Sequence, residues 1–171
     1  MEFYDQDRVI VNPLRIKSRI VRELEASVIL YYSGVSRESA DVIRDQSRRV
    51  TELDETAIAA TKELKNDALL MKEALLKANM KEIGRVLGRS WEAKKKIASS
   101  MTSPAIEQAY ESAMKAGAVS GRISGAGGGG FIIFMADPIR KYDVMRKLEG
   151  CGGSLFRFHF SEHGAQAWSV S

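Results

Sequence analysis

The sequence is short of cysteine and histidine and carries no long apolar run. Cys151 is the one cysteine among 171 residues, so no internal disulfide can form and the thiol is read as free, in keeping with a reducing compartment. The two histidines, His159 and His163, are four residues apart. His159 falls in a strand-like stretch and His163 beside Glu162 and Gly164 in a turn, so no helical pair of metal ligands is expected and no metal is assigned. Charge of neither sign dominates. The formal net charge is +4, with basic residues scattered among acidic ones along the helical segments, which singles out no nucleic-acid partner. Apolar stretches such as 131–136 are far too short to span a bilayer, and the first eight residues lack the apolar core of a secretory signal. These absences describe a soluble, cytoplasmic chain without a membrane partner, long enough for one domain over residues 1–171.

What is present alternates between strand and helix patterns. Val9-Ile10-Val11 and Leu14-Arg15-Ile16 look extended, and a short helical turn follows through Ile20, Val21 and Leu24. The stretch 26–32 is rich in β-branched and aromatic residues, and Ser33-Gly34 ends it with turn chemistry. Ser36 stands where a helix cap would, ahead of Ala40 and Ile43 at helical spacing. From 54 to 78, Ala57, Thr61, Leu64, Ala68, Met71, Leu75 and Ala78 line one face of a long amphipathic helix. A surface helix over 80–97 places Ile83, Leu87, Ser90 or Trp91 and Lys94 on one side. Ser103-Pro104 opens another helix, which runs to Gly117. Strands are expected over 118–123, 131–136 and 155–160, with a helix from Asp137-Pro138 to Gly150 and a final short strand over 167–170. The pattern suggests an α+β fold, an antiparallel sheet with helices packed on one face.

Between the strands at 118–123 and 131–136 lies Ser124-Gly125-Ala126-Gly127-Gly128-Gly129-Gly130. It formally fits G-x-G-x-x-G, but a dinucleotide site needs a helix after it, and here a strand follows. No Gly-Lys-Ser or Gly-Lys-Thr closes the run, so a P-loop also fails. Five glycines in six positions nevertheless lose much backbone entropy on folding. They are suited to turning successive amides into one concavity that holds an anion, a phosphate above all. A purely conformational hairpin loop is the alternative.

The segment from Gly121 to Phe131, Gly-Arg-Ile-Ser-Gly-Ala-Gly-Gly-Gly-Gly-Phe, resembles the third motif of the GHMP kinases, which phosphorylate small molecules from ATP. Val11-Asn12-Pro13-Leu14 and Tyr32-Ser33-Gly34-Val35-Ser36-Arg37 resemble the branch of sugar kinases acting on D-glycero-D-manno-heptose phosphates, extending the similarity over the whole chain. The resemblance implies the family's carboxyl-terminal domain, a ferredoxin-like sheet with long amphipathic helices. It implies ATP and a phosphorylated sugar as ligands and transfer to the anomeric hydroxyl of the heptose 7-phosphate, a step towards nucleotide-activated heptose. Ser124, Gly125, Ala126, Gly127, Gly128, Gly129 and Gly130 would border the substrate and the transferred phosphate, with Ser33, Gly34 and Arg37 as further substrate contacts.

One departure limits this. The family's Pro-x-x-x-Gly-Leu-Gly-Ser-Ser-Ala loop and its acidic residue at the attacking hydroxyl do not occur here. The chain is therefore expected to lack the amino-terminal domain that holds ATP and Mg²⁺, to contain no catalytic residue of its own and to be inactive alone. An apolar face left by that domain would favour self-association. A stand-alone module binding a small phosphorylated ligand is the second reading. The basic strip of Arg85, Arg89 and Lys94-Lys95-Lys96 reads as a solvated helix face, and Asp41 and Asp45, interleaved with Arg44 and Arg48, as surface ion pairs.

Overall fold

The computed structural model describes residues 1–34, 39–52, 54–97, 101–125, 127–161 and 164–169. The elements run β1 (Glu2–Phe3), β2 (Val9–Ile10), α1 (Ser18–Ser27), β3 (Val28–Tyr32), α2 (Ser39–Thr51), α3 (Glu55–Leu76), α4 (Met80–Ile97), α5 (Pro104–Lys115), β4 (Ala118–Ile123), β5 (Phe131–Ala136), α6 (Lys141–Glu149) and β6 (Ser154–Phe156). The chain opens with the β1–β2 hairpin, and the main sheet has the order β4-β5-β3-β6 with every pair antiparallel. From β3 onward this is β-α-β-β-α-β with the first and third strands in the middle, the ferredoxin-like arrangement expected. All of α2 to α5 is inserted in its first crossover.

Both faces of the two central strands are apolar, and this decides the layering. One face carries Ile29 and Tyr31 of β3, opposite Phe134 and Ile132 of β5. It packs against Ile106, Ala109 and Ala113 of α5 and Val144 and Leu148 of α6. The opposite face carries Val28, Leu30, Ile133 and Met135, which meet Leu24 of α1, Met71 and Leu75 of α3 and Ile83 and Leu87 of α4 around an apolar cavity of about 290 Å³. The expected cover on one face is thus α5 and α6. The structure corrects the picture by adding a second helical layer, because strands apolar at every position leave two faces to shield.

The same layering corrects the reading of α4 as a surface helix. It lies between α3 and β4, with Ile83, Val86, Trp91, Ala93, Lys94 and Ile97 buried. Its glycines allow the approach. A Cβ on Gly88 would lie 3.1 Å from Ser120 Cβ, and one on Gly84 would lie 3.0 Å from Val119 Cγ1. The helix starts are locally encoded. Asp54 accepts from the Ala57 amide at 3.0 Å, and Ser103 caps α5 ahead of Pro104. Arg49 of α2 donates to Asp54 at 2.9 and 2.6 Å and to the carbonyls of Lys96 and Ile97 at 3.2 and 3.0 Å, filling acceptors that the end of α4 leaves open.

Two strand boundaries differ from the sequence reading. β3 starts at Val28 because Ala26 and Ser27 complete α1, where Ser27 Oγ donates to the Glu23 carbonyl at 3.0 Å. β6 stops at Phe156, and farther along the Phe160 amide turns to Glu25 Oε1 of α1 at 2.8 Å. Residues 167–169 form no strand.

Candidate functional site

The glycine-rich connection between β4 and β5 is closed at its base by the Ser124 amide donating to the Phe131 carbonyl at 2.8 Å. Above that bond the backbone enters the left-handed region at Gly125 (φ 84°), Gly127 (117°), Gly128 (76°) and Gly130 (83°). Glycine is demanded most strictly at Gly127, where a Cβ would run into the sulfur of Met101, itself fully buried. At Gly125 and Gly130 a Cβ would meet nothing within 4 Å, so this side of the loop is open. Not every amide faces outward. Gly128 donates inward to the Met101 carbonyl at 2.8 Å, fastening the loop to the segment before α5. Ser124 and Gly125 are exposed, whereas Gly127 and Gly128 are buried.

The end of β3 reaches the same place. The Ser33 amide donates to the Gly130 carbonyl at 2.9 Å, so the structure brings Ser33 and the adjacent Gly34 (φ 74°) to the exit of the loop. Ala126 and Arg37, also expected at the site, lie outside the described residues, as do Ser36 and His163. His159 is exposed, with Nδ1 3.7 Å from Glu25 Oε1. Cys151 is a free thiol directed at the Lys147 carbonyl at 3.4 Å. Arg48 and Asp45 form an ion pair at 2.9 Å.

Beneath the loop lies a group of charges, two of which, Arg89 and Lys94, the sequence reading assigned to solvent. Lys94 is 8% exposed, and its ammonium donates to the Gly125 carbonyl. Burial, aided by the like charge of Arg122, pushes its pKa down to about 8. Arg122, on the β4 residue two before Ser124, donates to Ser90 Oγ at 2.8 Å. Burial lowers its pKa, while Asp67 acts in the opposite direction. Arg89 donates through Nε to Asp67 Oδ1 at 2.7 Å and also through Nη2. Asp67 is buried in α3, and its Oδ2 has no partner among the described residues. A cavity of about 230 Å³ adjoins Asp67, Ser90 and Arg122.

The basic strip therefore divides. Arg85 pairs with Glu82 at 2.5 Å, Lys95 with Glu92 at 2.9 Å and Lys96 with Glu63 at 3.7 Å, as a solvated face should. Arg89 and Lys94 turn inward instead, which corrects the reading for those two. The signal was present in the sequence, since Lys94 falls on the same stripe as Ile83, Leu87 and Ser90. Among the described residues no three acids, histidines or cysteines converge as metal ligands, and no helix is long and apolar enough to cross a membrane.

Comparison with known proteins identifies relatives of the chain. Residues 71–162 match the family described as GHMP kinases C terminal. The chain is 40% identical over 170 residues to the D-glycero-alpha-D-manno-heptose 7-phosphate kinase of Campylobacter jejuni, covering 99% of this chain and 50% of that protein. It is 31% identical over 120 residues to the L-fucokinase/L-fucose-1-P guanylyltransferase of Bacteroides fragilis, covering 70% of this chain and 12% of that one. The crystal structure of a D-glycero-D-manno-heptose 1-phosphate kinase from Bacteroides thetaiotaomicron superposes with a TM-score of 0.71 at 37% identity. That match covers 100% of this chain and 44% of the other. The chain thus spans half the length or less of these relatives.

Proposed function

The chain belongs to the GHMP kinase family, within which it matches the carboxyl-terminal domain, and from that premise we propose that it is the acceptor-side half of an ATP-dependent sugar kinase. The acceptor is D-glycero-D-manno-heptose 7-phosphate and the product carries a second phosphate on the anomeric hydroxyl. The observation that carries this reading is the β4–β5 loop, with four left-handed glycines, an open outer side and a buried ammonium beneath it. Its support is the similarity over nearly the whole chain to a heptose 7-phosphate kinase.

In this reading residues 124–130 border the acceptor and the phosphoryl group in transit, and Ser33 and Gly34, bonded to the loop's exit, line the acceptor side with Arg37. The anomeric oxygen bonds to the γ-phosphorus as the bond to the β-phosphate oxygen breaks. The proton passes to a base outside this chain, and ADP leaves. In this reading Mg²⁺ and most of the ATP contacts belong to an amino-terminal domain, with both parts working in the cytoplasm. This chain contributes position and electrostatics, which supply most of the catalysis in phosphoryl transfer.

The test is to assay the intact protein, including an amino-terminal kinase domain, with ATP and D-glycero-D-manno-heptose 7-phosphate, L-fucose or mevalonate, following products by ³¹P NMR. A new anomeric phosphate on the heptose 7-phosphate alone is expected. Transfer to fucose in preference, or to another hydroxyl, would overturn the assignment of acceptor and position.

A further inference from the structure

Among the described residues the charges below the glycine loop do not balance. Asp67, Arg89, Arg122 and Lys94 place three cations with one carboxylate between α3, α4 and β4, and that carboxylate is taken up by Arg89. Nearby acids are engaged elsewhere, Glu92 with Lys95 and Glu63 with Lys96. Lys94 is 8% exposed and is bonded to a neutral carbonyl. Arg122 rests on a serine hydroxyl. Lys94, withdrawn from water and facing a neutral carbonyl, is costly, and half-buried Arg122 has only the influence of Asp67, already bonded by Arg89, to offset its charge. They lie at the base of the β4–β5 connection, whose outer side is open at Gly125 and Gly130.

We infer that Lys94 and Arg122 form the charged floor of the glycine loop and that a phosphoryl group held over the loop supplies their missing counter-anion. This rests on the kinase reading for its ligand and names the residues that would provide the charge. Lys94 acts twice. Its ammonium fixes the Gly125 carbonyl, and its positive charge adds to the potential that an anionic oxygen over the loop would meet. Arg122 reinforces that potential from β4. The shared chemistry is a phosphate oxyanion, which either the nucleotide's terminal phosphate or the phosphate ester of the sugar can provide.

The experiment uses the intact protein as wild type, Lys94→Met and Lys94→Arg, with Arg122→Met as a second position. Kd is measured separately for ATP and for heptose 7-phosphate, with kcat and KM for each substrate. Lys94→Met is expected to raise Kd and KM for one of the two by about tenfold, and Lys94→Arg to recover most of that. The substrate affected identifies the source of the phosphate. If Met leaves both affinities within about twofold of wild type, or if Arg is as impaired as Met, the charged floor is wrong. Should the variants fail to fold, the Lys94 side chain is titrated by NMR in the wild-type protein with and without ATP, heptose 7-phosphate or pyrophosphate. Its pKa should rise by at least about one unit when an anion binds, and an unchanged titration with all three overturns the proposal. A wild-type protein that phosphorylates no sugar would defeat the kinase reading alone, since the titration with pyrophosphate still decides the role of Lys94.

Discussion

The amide of Gly128 donates to the carbonyl oxygen of Met101 at 2.8 Å, and beside that bond the α-carbon of Gly127 faces the Met101 side chain with no room for a methyl group. The loop is therefore clamped on its inner side and open on its outer side. Gly127→Ala must move Met101 and hold alanine at a φ of 117°, which should cost about 2 to 3 kcal/mol. Gly125→Ala meets no atom and should cost only about 1 kcal/mol for its left-handed backbone. Urea denaturation of the two variants tests the difference, and equal losses would contradict the clamp.

Lys94 predicts a dependence of stability on pH. Its folded-state pKa of about 8 lies below the ordinary 10.5, so between those values the unfolded chain binds more protons and stability rises with pH. Below about pH 8 the buried charge carries its full penalty, on the order of 3 kcal/mol. Above about pH 10 that penalty is gone. Lys94→Met should therefore be more stable than wild type at pH 7, with the gap closing towards pH 10. Denaturation midpoints measured from pH 7 to 10 would show it, and parallel curves for the two proteins would refute it.

Asp67 is the opposite case, a buried carboxylate that is paired. Removing this buried carboxylate leaves Arg89 without its counter-charge beside Arg122, and Asp67→Leu should lose about 3 kcal/mol. Changing both ends, Asp67→Leu with Arg89→Met, should cost less than the single change, because no charge is then left unpaired. A double-mutant cycle measures this, and simple additivity would count against the pairing as drawn.

Gly153 is fixed by packing. A Cβ there would enter the carbonyl oxygen of Tyr32 and the phenol ring of Tyr31, which is 1% exposed. Gly153→Ala should cost about 2 to 3 kcal/mol and loosen β6 from β3. Slowed-exchange amides of residues 30–32, observed by hydrogen exchange, should lose protection. Retained protection would show that β6 tolerates the methyl group.

Much of the fold and part of the site could be read from residue patterns. Ser103 before Pro104 and Asp54 before the long helix are local signals, and the structure uses both as caps. The loop between two apolar strands stood out because its glycines are consecutive. The second helical layer was less legible, since an amphipathic stripe records that a face is covered and not which surface covers it. Lys94 shows the same limit. Its place on the apolar stripe of α4 was visible, but lysine stems often run along apolar surface with the ammonium in water. Only the approach of Gly125, 31 positions along the chain, distinguishes that ordinary case from a buried charge.

The strand order also governs how the chain can acquire its structure. β3 is complete at Tyr32, yet its two neighbours, β5 and β6, come from residues 131–136 and 154–156. During synthesis the central strand must wait, with both edges unpaired, until four helices and the glycine loop have followed it. Contacts so far apart in sequence form slowly and leave apolar edges open to other chains in the meantime. The helices of the first crossover, able to pack on one another as α3 and α4 do, offer the early local structure from which the sheet is later closed.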